Sequence, residues 1–179
     1  MLLFIISTVD INYAQHMKFN GISMGETPTV FISKLKAKGF TPEYQNSDNI
    51  LTGTFCGWNN CSIGILSNKD IITSICVIFP GMEKWKDLEF IYNDLKSLLI
   101  QKYGNPYKCV EEFQDSCEND YLKLHSIQLD KCNYISVFKT DNGSIFLRIC
   151  YILDSNSVTI SYYDNINREK EKQLIIEDL

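Results

Sequence analysis

The stretch EKWKDLEFIYNDLKSLLIQKYGNP, residues 83–106, carries the strongest helix signal in the chain. Its apolar side chains recur at three- and four-residue spacing, which is the period of an amphipathic helix with one buried side. Gly104 and Pro106 then stop the pattern. The sequence therefore predicts a helix at about 84–103 that packs on a sheet. The side chains expected to be fully buried are Leu88, Leu95 and Leu98.

Upstream of this helix the sequence predicts a shorter helix and a three-stranded meander. The shorter helix is expected at about 28–38, because Gly39 can take the left-handed conformation that ends a helix. Phe40 then falls where it can contact Leu35, as in a Schellman ending. Runs of β-branched and apolar residues, separated by turn-forming residues, predict strands at 49–56, 61–67 and 71–79.

Downstream of the long helix the same order of elements repeats. Asn142-Gly143 is a strong signal for a tight hairpin turn between two strands. The segment 107–133 is less regular, and its part HSIQLDK (125–131) is compatible with a fourth strand. The remaining predicted elements are strands at 134–140, 144–152 and 158–164 and a terminal helix within 167–179.

These elements predict an α+β fold. Two tandem units, each a helix followed by an antiparallel meander, would pack their helices on one face of the sheet, and a short C-terminal helix would follow. We expect residues 16–179 to form a single α+β domain made of two repeats, at about 17–80 and 81–179. A chain of 179 residues with 45% hydrophobic residues can form such a core without disulfides or metals.

The N-terminal residues 1–15 resemble a truncated signal segment. The apolar run Leu2–Val9 is too short to span a bilayer and lies where the hydrophobic part of a secretory signal would lie. A positively charged start is missing, and a late start codon would explain its loss. We therefore expect a periplasmic or extracellular protein. The alternative is a cytoplasmic protein in which this run is a buried first strand.

The charge of the chain argues against nucleic acid as a partner. The formal net charge is −5, whereas a phosphate backbone favours clustered lysine and arginine. No apolar run is long enough to predict a transmembrane span. We expect a protein partner of unknown identity, and the oligomeric state is left open.

The seven cysteines do not have the spacing of a metal or redox site. The chain has no Cys-X-X-Cys pair and only two histidines, so we expect no metal and no cofactor. A cysteine nucleophile would need a histidine base, for which His125 is the candidate. Because no nucleophile motif surrounds any cysteine, we do not expect an enzyme, and a cysteine hydrolase is the weakest of three functional hypotheses.

The segment FCGWNNC, residues 55–61, predicts the closed end of a β-hairpin. If Cys56 and Cys61 lie directly opposite each other, their separation permits a disulfide in an oxidising compartment. The same register places Gly53 opposite Gly64, where a side chain could approach the sheet closely. The tip residues Trp58, Asn59 and Asn60 are then the predicted partner-binding site, since exposed aromatic residues often anchor interfaces. In the alternative arrangement the tryptophan packs on its own sheet.

The order of helix, Gly turn and meander, found twice, resembles the fold of the β-lactamase inhibitory protein and of small outer-membrane assembly lipoproteins. More closely, GISMGETPTVFISKLKAKGF, LTGTFCGWNNCSIGI, VIFPGMEKWKDLEFIYNDLKSLLIQKYGNP and YYDNINREKEKQLIIEDL resemble uncharacterised exported proteins of Bacteroides-type bacteria. The first resemblance is one of architecture and implies only that such a fold often presents a surface to another protein. We expect a non-catalytic, exported protein-binding module, either inhibitor-like or envelope-assembly-like. The alternative function is a small-ligand or lipid carrier that uses the face of the sheet.

Overall fold

The computed structural model describes residues 15–44 and 47–177 of the 179-residue chain. Within them the helices are α1 (Pro28–Ala37), α2 (Trp85–Tyr103), α3 (Asp120–Gln128) and α4 (Asn165–Glu177). The first strands are β1 (Lys18–Phe19), β2 (Ile22–Ser23), β3 (Thr41–Tyr44), β4 (Ser47–Phe55), β5 (Trp58–Asn68) and β6 (Ile71–Ile78). The later strands are β7 (Lys108–Phe113), β8 (Cys132–Thr140), β9 (Gly143–Ile152) and β10 (Ser155–Asp164). The predicted leader, residues 1–15, lies outside the described residues except for Gln15.

Eight of the strands form one antiparallel sheet, in the order β3-β4-β5-β6-β10-β9-β8-β7. The strands that follow α1 form one half of this sheet, and those that follow α2 form the other half. The two halves meet where β6 pairs with β10, in a register that includes Val77 opposite Ile160. The predicted α+β class is therefore confirmed.

The helices α1, α2 and α3 lie on the same face of the sheet. Phe19, on the small β1–β2 hairpin, contacts the Phe31 ring of α1 and packs edge-on against Tyr162 of β10, with ring centroids 6.3 and 5.1 Å apart. In the second half, Trp85 of α2 packs against Phe113 of β7 and Tyr134 of β8. These aromatic contacts join both helical layers to one hydrophobic core.

The end of α1 confirms the predicted Schellman arrangement. Gly39 has a φ of +94°, and the backbone N–H of Phe40 donates to the carbonyl oxygen of Leu35 at 3.3 Å. The stripe on α2 is confirmed in part, because Leu88 and Leu95 are buried. The prediction for Leu98 is wrong, since this side chain is 44% exposed while its neighbour Leu99 is buried.

Three elements differ from the sequence prediction. The segment 125–131 is not a strand, because most of it belongs to α3 and the turn after it. Asn119 caps this helix, and its side-chain oxygen accepts a hydrogen bond from the backbone N–H of Leu122 at 3.0 Å. Strands β3 and β7, which were not predicted, extend each meander to four strands and form the two edges of the sheet.

Candidate binding surface on the open face of the sheet

The sheet face turned away from α1, α2 and α3 is called the open face here. The strand register defines it by two rows of side chains that cross the sheet. The first row is Ile50, Gly64, Cys76, Ser161, Phe146 and Val137. The second row is Thr52, Ser62, Ile78, Thr159, Arg148 and Ile135. Helix α4 borders this face at one end, where the Arg168 guanidinium lies 5.8 Å from the centre of the Tyr163 ring.

The composition of the open face is unusual for a sheet surface. An antiparallel sheet covered on one face normally alternates between apolar residues inside and polar residues outside. Here the two rows contain five large apolar side chains beside the hydroxyl residues Thr52, Ser62, Thr159 and Ser161, and the first row ends at Lys108 on the edge strand β7. The apolar members are Ile50, Ile78, Ile135, Val137 and Phe146. Val137 is buried and the other four are half-buried, so the apolar side chains are partly accessible on this face. Partly accessible apolar side chains mixed with few charges are compatible with a protein–protein interface.

Arg148 is the charged residue in the interior of these rows, and it is exposed. It stands between Ile135 on β8 and Thr159 on β10. Its guanidinium forms no hydrogen bond or ion pair with the described residues. Burial raises the pKa of the Cys76 and Cys150 thiols, and the positive charge of Arg148 opposes part of that rise. An unpaired guanidinium among apolar side chains is suited to binding a carboxylate from another molecule.

The β4–β5 hairpin is tighter than predicted. Phe55 pairs with Trp58, so the turn consists of Cys56 and Gly57, whose φ angles of +49° and +83° have the sign that a type I′ turn requires. An irregularity follows, and Gly53 rather than Cys56 lies opposite Cys61. The predictions that Cys56 faces Cys61 and that Gly53 faces Gly64 are therefore wrong, because two residues form the turn instead of four. Gly64 lies opposite Ile50. Both thiols are free, Cys56 exposed and Cys61 buried.

The predicted contact residues lie beside this turn rather than at its tip. Trp58 is half-buried against the hydrophobic core on the helix side of the sheet, which is the alternative arrangement considered for it. Asn59 and Asn60 are exposed, and Asn59 accepts a hydrogen bond from the Thr54 hydroxyl at 2.8 Å. Asn60 has a φ of +57° and occupies the irregular position of β5. Their role in binding a partner stays a prediction.

Cys61 and Cys132 are poorly suited to nucleophilic chemistry. Burial raises the pKa of Cys61 and of Cys132 to about 11, so both remain protonated at neutral pH. His125 lies on α3, where its ring stacks on Tyr121 with centroids 6.2 Å apart. Within the described part of the chain no cysteine is hydrogen-bonded to a histidine. The same residues contain no group of three or more side chains placed to hold a metal ion.

Sequence reasoning did not find Arg148 or the open face. A partial signal exists in SIFLRICYI (144–152), where Phe146, Arg148 and Cys150 alternate with buried residues. The sequence does not reveal that this strand is central, because that position depends on the pairing of β6 with β10. Among residues 15–44 and 47–177, no helix is both long and apolar enough to cross a membrane.

Comparisons of the chain with protein-family models, curated proteins and solved structures find no match.

Proposed function

We propose that this chain is a non-catalytic protein-binding module that engages its partner through the open face of the sheet. The observation that carries the proposal is the exposed Arg148, which forms no ion pair with the described residues and stands on the open face beside the half-buried Ile135. Arginine and large apolar groups are the residue types that dominate binding energy at the centres of interfaces. Asn59 and Asn60, beside the β4–β5 turn, extend the proposed contact region.

The charge distribution indicates what kind of partner fits. A partner with a charge complementary to Arg148 presents an aspartate or glutamate side chain. Apolar residues around that side chain cover Phe146 and Ile135. The partner therefore presents an acidic residue on an otherwise apolar loop or edge. In keeping with the N-terminal pattern of the sequence, we place this interaction in the periplasm or outside the cell, as an inhibitor-like or envelope-assembly-like contact.

The test uses photo-cross-linking in the producing cell. A photoreactive amino acid replaces Ser161 on the open face or Lys86, an exposed residue of α2 on the opposite side. We expect a discrete protein adduct from position 161 that is absent from position 86 and is lost when Arg148→Glu is added. Adducts that form equally from both positions, or that persist with Arg148→Glu, would contradict the proposal. Native mass spectrometry of the purified protein tests the carrier alternative, which requires a small molecule bound to the same face.

A further inference from the structure

A cavity of about 290 Å³ lies on the helix side of the sheet, between α2 and the turn of the β4–β5 hairpin. Its apolar wall includes Phe55, Leu95, Leu98 and Ile160. Leu98 is 44% exposed because its side chain borders this open space. The cavity therefore accounts for the one leucine of the α2 stripe that is not buried as its spacing predicts.

Tyr162 provides a polar group within this apolar wall. The side chain is only 7% exposed, and its hydroxyl has no hydrogen-bond partner among the described residues. The hydroxyl oxygen is nevertheless not fully enclosed by protein atoms. Because Tyr162 lines the cavity, its hydroxyl is accessible from inside the cavity. By contrast, the buried hydroxyl of Tyr92 is satisfied by Ser136 at 2.7 Å. An unpaired hydroxyl in a buried setting is favourable only if something that enters the cavity binds it.

The mouth of the cavity carries positive charge. Lys18 and Lys102 line it, no carboxylate of the described chain does, and neither lysine forms an ion pair with a described residue. Burial raises the pKa of the nearby Cys56 thiol. The positive charge of Lys102 lowers this pKa by more than the negative charge of Asp94 raises it. The charged side chains that line the cavity are thus two lysines, although the net charge of the whole chain is −5.

We propose that this cavity binds a linear aliphatic carboxylate. The chain of the ligand lies against Leu98, Phe55 and Tyr103, the apolar lining residues that are accessible. Its carboxylate accepts hydrogen bonds from Lys102 and the Tyr162 hydroxyl. A volume of about 290 Å³ accommodates roughly ten chain atoms at about 30 Å³ each. The site is therefore sized for a medium-chain acid of about ten carbons, near the lower end of ligand cavities.

Isothermal titration of the full chain with decanoate, below its micellar concentration, tests the proposal. We expect saturable binding of one decanoate per chain, and binding of the uncharged decanol that is about tenfold weaker. Lys102→Glu is expected to weaken decanoate binding about tenfold or more, and Tyr162→Phe about threefold to tenfold. The matched controls are Lys86→Glu on the exposed side of the same helix and Tyr92→Phe, both with unchanged affinity.

Circular dichroism establishes that each variant is folded before its affinity is compared. The absence of saturable decanoate binding, or equal affinity for decanoate and decanol, would overturn the proposal. Equal binding by the wild type and by a folded Lys102→Glu variant would overturn it as well. The cavity and the open face lie on opposite sides of the sheet, so these results are independent of the proposed protein-binding function.

Discussion

Replacing Leu95 by alanine tests how the long helix packs on the sheet. The side chain is 1% exposed, and its truncation removes three buried carbons worth about 0.8 kcal/mol each, or about 2.4 kcal/mol of transfer free energy. The space left behind adds a further cost, so we expect the free energy of unfolding to fall by about 3 kcal/mol, within the usual range for buried leucines. Urea denaturation followed by tryptophan fluorescence measures this change, with the slope of the transition compared between variants.

Leu98→Ala is the matched control, because it makes the same substitution one turn further along the same helix. Since Leu98 is 44% exposed, its truncation loses only about half of the transfer free energy. We therefore expect the free energy of unfolding to fall by about 1 kcal/mol. Equal losses of stability for the two variants, or a larger loss for Leu98→Ala, would refute the assignment of Leu95 to the core and of Leu98 to the cavity rim.

Three further predictions concern the first half of the sheet. Gly53→Ala should lower the free energy of unfolding by about 1 to 3 kcal/mol, because its new Cβ would lie 2.4 Å from the Phe40 ring. Gly64→Ala is the control, since its Cβ would meet no atom closer than 3.9 Å. Equal denaturation midpoints of the two variants would contradict this reasoning. Trp58→Ala should cost about 2 kcal/mol through lost packing on the core, and an unchanged urea midpoint would show that the side chain is not packed there. Burial raises the pKa of Cys61 to about 11, so the folded state retains a proton that the unfolded chain releases from roughly pH 8.5 upward. Stability should therefore fall as the pH rises through this interval, and a Cys61→Ala variant that shows an equally steep fall would contradict the assignment.

Local signals in the sequence predict α1, α2, α4 and the central strands well, but they miss α3. The end of α1 follows from Gly39 and Phe40, because the left-handed residue and the apolar contact after it belong to one short motif. Strand β7 was missed because KCVEEF (108–113) lacks the alternation of a half-buried strand. Its position at the edge of the sheet leaves most of its side chains exposed, so polar residues are tolerated there.

Register and long-range pairing are the features that the sequence did not predict. The extra residue in β5 near Asn60 shifts the pairing by one position, and a turn formed by Cys56 and Gly57 shortens the hairpin. The open face depends on the contact between β6 and β10, which joins segments more than seventy residues apart in the chain. Because no local pattern encodes that contact, the central position of Arg148 becomes visible only in the folded structure.

The central claim is that the open face binds a partner through Arg148. The most direct measurement is the affinity of the cross-linked partner, once purified, for the wild type, Arg148→Glu and Lys86→Glu proteins by isothermal titration. The account predicts that Arg148→Glu weakens binding by about 30-fold or more while Lys86→Glu leaves it unchanged. An affinity of the folded Arg148→Glu protein equal to that of the wild type would contradict the account.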